Sequence, residues 1–275
     1  MTRIFDGRDL AAKKEAILKK KVARLREKKN LIPKLATILP GSDPASVLYV
    51  NLKKKAAERI GCEVEIFEVG ERKQADYIVR LIKSLNQDPL IHGIMVQMPL
   101  PMRMGKGRDL IIDAIAPQKD VDGLREDGLF IHPTVMAVLE AAKKSKRKPP
   151  AKVCVVGASG MVGRPLVEEL EKNGFAVTAC NSKTKYLDRR TREAEILISC
   201  AGVPGLITGE MVKKGAAVID VGSPKGDVLF EEVKKKAGFI TPVPGGIGPL
   251  TVSFLLENLI QSAYNTPKHT FTRSS

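Results

Sequence analysis

The sequence predicts an α/β protein of two units, each a parallel sheet covered by helices. Short apolar runs alternate with amphipathic helical stretches along most of the chain, the pattern of layered parallel sheets. The alternation is interrupted by a polar, proline-ended stretch at residues 143–150 and then begins again. The second series opens on a strand, a glycine-rich turn and a helix start. With 275 residues, 43% of them hydrophobic, the chain is long enough to bury two such cores.

Taken in order, residues 9–29 carry Leu10, Ala11, Ile17, Leu18, Val22 and Leu25 at helical spacing among many Lys and Arg, which predicts an amphipathic surface helix. The apolar run 35–39 reads as a strand, ended by Pro40-Gly41-Ser42-Asp43-Pro44. Ser46 is expected to open a helix running to about Ile60, with a strand at 64–69, a helix at 73–86 and a strand at 91–96 that enters Pro99-Leu100-Pro101. Beyond the break, strands are expected near 153–156, 176–180, 195–199, 217–221 and 238–241. An apolar helix at 250–264 is placed to fold back on the first unit, and the tail from Pro267 is expected to fray.

The formal net charge is +15, spread over runs such as Lys19 to Lys21, Lys53 to Lys55 and Lys234 to Lys236. Such a field attracts anions. Aromatic residues are only 4% and Trp is absent, so no base-stacking platform is supplied and a nucleic-acid partner is not expected. The runs read first as solvated helix faces, and otherwise as a field for polyanions such as a phosphorylated cofactor or a polyglutamylated ligand. Cys62, Cys154, Cys180 and Cys200 form no CxxC pair and read as reduced, buried thiols. No apolar run reaches the roughly 20 residues of a membrane span. The first 30 residues carry Asp6, Asp9, Glu15 and Glu27 and no apolar leader block, so a cytoplasmic location is expected. His92, His132 and His269 share no ligand spacing, and no metal site is expected.

The turn Gly157-Ala158-Ser159-Gly160-Met161-Val162-Gly163 joins the 153–156 strand to a helix. Glycines let backbone approach a pyrophosphate, and the helix start offers free N–H groups, so a dinucleotide is the expected ligand. At the end of the next strand stand Asn181, Ser182 and Lys183, with Lys185 beyond and no carboxylate to hold a free ribose 2′-hydroxyl. That favours NADP, with NAD possible. Elsewhere, Tyr49 and Lys53 lie one helical turn apart on one face. Gln97 ends an apolar strand, where α/β ligands bind, and Asp122 lies in the turn Lys119-Asp120-Val121-Asp122-Gly123. Residues 242–251 read Pro-Val-Pro-Gly-Gly-Ile-Gly-Pro-Leu-Thr.

On these segments, and over nearly the whole chain from Asp6 to about Ala263, the sequence closely resembles the bifunctional methylenetetrahydrofolate dehydrogenase/cyclohydrolase family. The resemblance implies an N-terminal three-layer α/β domain at 1–138, completed by a C-terminal helix at 249–275, and a Rossmann-like dinucleotide-binding domain at 139–248. It implies oxidation of 5,10-methylenetetrahydrofolate with NADP, then hydrolysis to 10-formyltetrahydrofolate, a donor for purine biosynthesis. The alternative is a cyclohydrolase with weak or absent dehydrogenase activity. A homodimer is implied as well. Lys53, Tyr49, Gln97 and Asp122 match the catalytic set. Val96, Met98, Pro99 and the loop Pro244, Gly245, Gly246, Ile247, Gly248 match the folate site. Gly157, Ala158, Ser159, Val162, Gly163, Ser182 and Ser223 fall at cofactor-contacting positions. Three positions depart from the family pattern: Ala158 replaces an arginine, Asn181 replaces a histidine, and Pro133-Thr134-Val135 replaces Cys-Thr-Pro.

Overall fold

A computed structural model of the chain describes residues 1–266. The expected frayed tail, the end of the expected 249–275 helix and His269 lie outside the described residues. In chain order the elements are β1 (Arg3–Ile4), α1 (Gly7–Lys29), β2 (Lys34–Pro40), α2 (Pro44–Ile60), β3 (Glu63–Val69), α3 (Ala75–Gln87) and β4 (Gly93–Val96). Two short helices, α4 (Met102–Gly105) and α5 (Arg108–Asp113), precede α6 (Pro133–Lys144). The second series runs β5 (Lys152–Val156), α7 (Gly163–Lys172), β6 (Ala176–Cys180), α8 (Leu187–Glu193), β7 (Ile196–Ser199), β8 (Ala217–Asp220), α9 (Phe230–Lys234), β9 (Phe239–Ile240) and α10 (Ile247–Asn265).

One unit comprises Lys14–Ile131 and the described residues from Leu255 onward. Its sheet is parallel, in the order β3-β2-β4. The central strand β2 is buried on both faces, which explains its unbroken apolar run, whereas the edge strand β3 alternates Glu with apolar residues. Ile38, Ile78, Ile82, Ile94, Val96 and Ile111 form part of its core. Helix α2 begins two residues before the expected Ser46, because the Asp43 carboxylate accepts from the Ser46 N–H at 2.8 Å and Pro44 suits the first turn. It ends at Gly61, whose φ of +88° favours glycine. The second half of α10 returns to this unit, as expected. Asn258 Nδ2 donates to the Val121 and Ile131 carbonyls at 3.0 and 3.1 Å, and the Ser262 hydroxyl donates to the Gln118 carbonyl at 2.7 Å.

The other unit comprises Met1–Lys13 and His132–Phe254. Its six strands are all parallel, in the order β1-β9-β8-β7-β5-β6. β5, β7 and β8 are buried along nearly their whole length, while β6 stands at an edge with a mixed pattern. The expected division is therefore corrected in three places, the first being that residues 249–254 of α10 stay with this unit. The first residues join this sheet: Arg3 N donates to Gly238 O, Phe5 N donates to Ile240 O, and the Phe5 and Phe239 rings lie 5.7 Å apart. Helix α6 also belongs here, because Val135, Val138, Ala141 and Ala142 pack in one core with Val153, Val155, Ile196 and Ile219. Two paired residues are too short a strand to carry a period, so β1 left no mark in the sequence pattern.

Among the described residues no helix is long and apolar enough to cross a membrane. All four cysteines are free thiols.

Candidate active site

Helix α2 and strand β4 build one candidate site. Lys53, on the sheet-facing side of α2, donates from Nζ to Gln97 Oε1 at 3.0 Å and to Met95 Sδ at 3.2 Å. Gln97 follows β4 and is anchored by its own backbone N–H on Ile38 O at 2.9 Å. Its amide orientation is fixed because Nε2 donates to Met98 O at 2.6 Å, which leaves Oε1 to receive the lysine. The residue Lys53 as a whole is only partly covered, but its amine end lies among Met95 and Gln97. Burial there pushes the amine pKa below the ordinary lysine range, and the charge of Asp122 opposes that shift. Its two hydrogen-bond partners, a thioether and an uncharged amide, do not offset the loss of hydration as a carboxylate would.

Met95 was not singled out in the sequence, although the signal was there. Residues 95 and 97 are two apart on an extended strand and so face the same way. Tyr49 stands one turn before Lys53 on α2 and is half-buried. Asp122 follows the turn in which Asp120 is fully buried. Asp120 Oδ2 accepts from Arg125 N at 2.8 Å, and burial raises the Asp120 carboxyl to about 6. Met98 and Pro99 continue from Gln97 into the loop, joined by a cis peptide bond. Val96 is 1% exposed and belongs to the core, so its side chain seats Gln97 instead of lining a surface.

The other unit carries its own candidate site. After β5 the chain turns at Gly157, φ +89°, where an added Cβ would lie 2.6 Å from Cys200 O. The N–H groups of Gly157 and Ala158 both donate to Cys180 O at 2.9 Å, tying the turn to the end of β6. Gly163 opens α7 against the same turn, and a Cβ there would lie 2.1 Å from Gly157 O. Ser159 and Val162 lie between these two glycines, while the Ala158 side chain packs into the core. The cradle thus excludes side chains at the two points where backbone crosses backbone, as a pyrophosphate-binding turn requires.

Beyond β6, Asn181 shapes a tight polar turn: its N–H donates to Thr184 Oγ1 and its Oδ1 accepts from Lys183 N, each at 2.9 Å. Ser182 is exposed on that turn, and residues 181–187 contain Lys183 and Lys185 but no acid. Ser223 lies three residues past the end of β8. The loop from Pro244 to Gly248 runs into α10. Gly245 has φ +108°, and Gly246 N donates to Pro242 O at 2.9 Å. Gly7, at the start of α1, meets this loop so closely that a Cβ would fall 1.8 Å from Gly246 O. Ile247 is buried in the core and Gly246 is buried beside it, while Pro244 and Gly248 are the exposed residues of the segment.

His92 is buried, its Nδ1 accepts from Lys34 N at 3.2 Å, and burial lowers its pKa to about 4. Among the described residues no group of three or more His, Cys, Asp or Glu could hold a metal ion.

Comparison with known proteins places this geometry. Residues 5–122 match the family model for the tetrahydrofolate dehydrogenase/cyclohydrolase catalytic domain, and residues 132–266 match the model for its NAD(P)-binding domain. The chain is 41% identical to the bifunctional protein FolD of Moorella thermoacetica, over 95% of this chain and 98% of that one. The crystal structure of the bifunctional FolD enzyme from Campylobacter jejuni superposes with a TM-score of 0.88 at 39% identity, covering 96% and 99% of the two chains. The Trypanosoma brucei enzyme, solved with NADP cofactor and inhibitor, superposes with a TM-score of 0.89 at 34% identity, covering 96% and 97%.

Proposed function

Because this chain belongs to the tetrahydrofolate dehydrogenase/cyclohydrolase family, we propose that it oxidises 5,10-methylenetetrahydrofolate with NADP and hydrolyses the 5,10-methenyl product to 10-formyltetrahydrofolate. The observation that carries this reading is the Lys53 amine, desolvated and bonded to an uncharged amide at 3.0 Å.

The chemistry explains why that arrangement is useful. Loss of hydride from the one-carbon bridge leaves positive charge across its N–C–N unit. A protonated lysine beside it would oppose that charge, so a lysine held easily deprotonated is the better neighbour. Gln97 holds the amine without adding a negative charge that would raise its pKa again. In the second step water adds to the methenyl carbon and loses one proton, and one C–N bond then breaks as the remaining hydroxyl proton passes to the departing nitrogen, which leaves the formyl group. Lys53 is placed as the general base for the first of these protons. Tyr49 orients Lys53 from the preceding turn and meets the folate ring. Asp122 accepts hydrogen bonds from the pterin. Met98 and Pro99, with Pro244, Gly245, Gly246 and Gly248, are assigned to the folate site, to which Val96 and Ile247, whose side chains are buried, offer only backbone.

NADP, when bound, accepts the hydride. Gly157, Ala158, Ser159, Val162 and Gly163 would hold its pyrophosphate, Ser182 its ribose phosphate end, and Ser223 the other half. The glycine cradle and the acid-free turn at 181–187 fit that ligand. Free thiols at all four cysteines favour a reducing, cytoplasmic setting, and the formyl product suits purine biosynthesis. A homodimer follows from the family resemblance.

The test pairs two measurements on one preparation. NADPH formation from 5,10-methylenetetrahydrofolate is followed with NAD run in parallel, and 10-formyltetrahydrofolate is then detected. Both products are expected, with NADP the better acceptor. Hydrolysis of the methenyl compound with no reduction of either dinucleotide would leave only the cyclohydrolase. Faster reaction with NAD would overturn the choice of NADP.

A further inference from the structure

The dinucleotide-binding unit contains two buried acids that the chemistry above does not use. Ser199 and Asp220 are register partners at the carboxyl ends of the adjacent strands β7 and β8. Asp220 is 3% exposed, and Asp227 is fully buried. Asp220 Oδ1 accepts from Gly222 N at 2.9 Å and Asp227 N at 3.0 Å, and its Oδ2 accepts from Val228 N at 3.1 Å. Asp227 Oδ2 accepts from Ser199 Oγ at 2.8 Å, Ala201 N at 2.8 Å and Gly202 N at 3.2 Å. Asp227 Oδ1 has no hydrogen-bond partner among the described residues.

These carboxyls gather the backbone of two irregular loops, residues 200–206 after β7 and residues 221–227 after β8. The loops are also bonded to each other, Gly205 N to Gly226 O at 3.1 Å and Ile207 N to Asp227 O at 2.9 Å. The fit tolerates no side chain. A Cβ on Gly226 would lie 2.3 Å from Asp220 Oδ2, and one on Gly222 would lie 2.8 Å from Asp227 Oδ1. The hydrogen bonds to both carboxyls come from backbone N–H groups and one hydroxyl, and burial raises the Asp220 pKa. Two acids buried side by side cost more than neutral acceptors would, so the arrangement calls for a reason beyond satisfying loop N–H groups.

The sheet order supplies one. In a doubly wound sheet a dinucleotide lies across the carboxyl ends of the strands where the order reverses, with the adenine ribose at the end of the second strand. Here that strand is β6, beside β5 and its glycine turn, so the other half of the ligand falls over β7 and β8. We propose that Asp220 and Asp227 are positioning residues for the nicotinamide half of the dinucleotide, holding the loops at 200–206 and 221–227, with Ser223, in the shape that receives it. The proposal rests on the dehydrogenase reading above. Neither acid touches the ligand; each acts through the backbone it holds.

The test separates the two halves of the ligand. Calorimetry on the full chain measures dissociation constants for NADPH and for 2′,5′-ADP, which carries the adenine half alone. Asp227→Asn keeps size and shape but replaces a carboxylate with one acceptor and one donor. It is expected to weaken NADPH binding about tenfold or more while 2′,5′-ADP stays within about twofold. Should that variant fail to fold, Ser199→Ala removes a single donor and is expected to weaken NADPH about threefold, again sparing 2′,5′-ADP. Equal weakening of both ligands would reduce the acids to general supports of the sheet and overturn the proposal, as would unchanged NADPH affinity. Wild-type protein that binds neither ligand overturns the dinucleotide reading itself, an outcome distinct from wild-type binding with an unaffected variant.

Discussion

At the scale of single residues, the site turns on how one amine is solvated. Burial lowers the pKa of Lys53, and Asp122 partly restores it. Catalysis by the neutral amine then requires the cyclohydrolase kcat to fall as the pH drops through the Lys53 pKa, giving an acid limb below the ordinary lysine range. Asp122→Asn removes the influence that raises this pKa, so the limb is expected to move to lower pH. A limb that stays put in the variant would remove Asp122 from the electrostatics of the amine. Lys53→Arg keeps the charge but cannot deprotonate, and a loss of about 10²–10⁴-fold in cyclohydrolase kcat is expected. Local rules place Lys53 one helical turn from Tyr49 and Gln97 at a strand end, but only the family resemblance implied that the two would bond, as they do at 3.0 Å. Met95 obeyed the same strand rule and still escaped notice, because a methionine in an apolar run reads as core. Asp227 gave no local signal at all, since what it binds lies some 25 residues away, at Ser199, Ala201 and Gly202.

At the scale of elements, α10 carries a long-range duty that its composition hides. The helix is apolar, yet Asn258, 6% exposed, spends both amide hydrogens on the Val121 and Ile131 carbonyls on either side of the Asp122 turn. Asn258→Leu leaves two carbonyls without those donors, at a cost of about 2–4 kcal/mol. In a protein of this size that is expected to lower Tm by several degrees. The folate KM is expected to rise as well, because the turn that presents Asp122 loses its tether. Melting curves and steady-state kinetics check the two effects, and an unchanged Tm would show that the helix is held by packing alone. Most elements were legible to within two residues because buried parallel strands are continuous apolar runs and amphipathic helices repeat every turn. Helix α6 was not, because no helical pattern is read between the 91–96 strand and the break at 143–150. Its N-terminus is set by His132 Nδ1 accepting from Thr134 N at 3.1 Å, a cap that pattern reading does not search for.

At the scale of the whole molecule, the chain assigns its own beginning to the dinucleotide-binding unit. β1 adds an edge to the sheet beside β9, and Phe5 joins the core shared by Val153 and Ile219. Deleting residues 1–5 uncovers Phe239 and removes the two backbone bonds from Arg3 and Phe5. A loss of about 2–4 kcal/mol is expected, chiefly from the buried phenylalanine. Hydrogen exchange provides the check: protection is expected to fall in β8 and β9 while β2 and β4 keep theirs, and uniform loss throughout the chain would contradict this division.

The sequence by itself determined the class of fold, the glycine turn, the acid-free turn after β6, and the Tyr49-Lys53-Gln97-Asp122 set with the family it belongs to. Each of these is written in residues near one another in the chain or in a fixed order along it. Only the tertiary structure decided which unit owns β1 and α6, that Val96 and Ile247 face the core, and that buried acids hold the loops after β7 and β8. Those outcomes depend on which distant backbone groups come within hydrogen-bonding reach and on which surfaces lose water, and neither is encoded in any local stretch of residues.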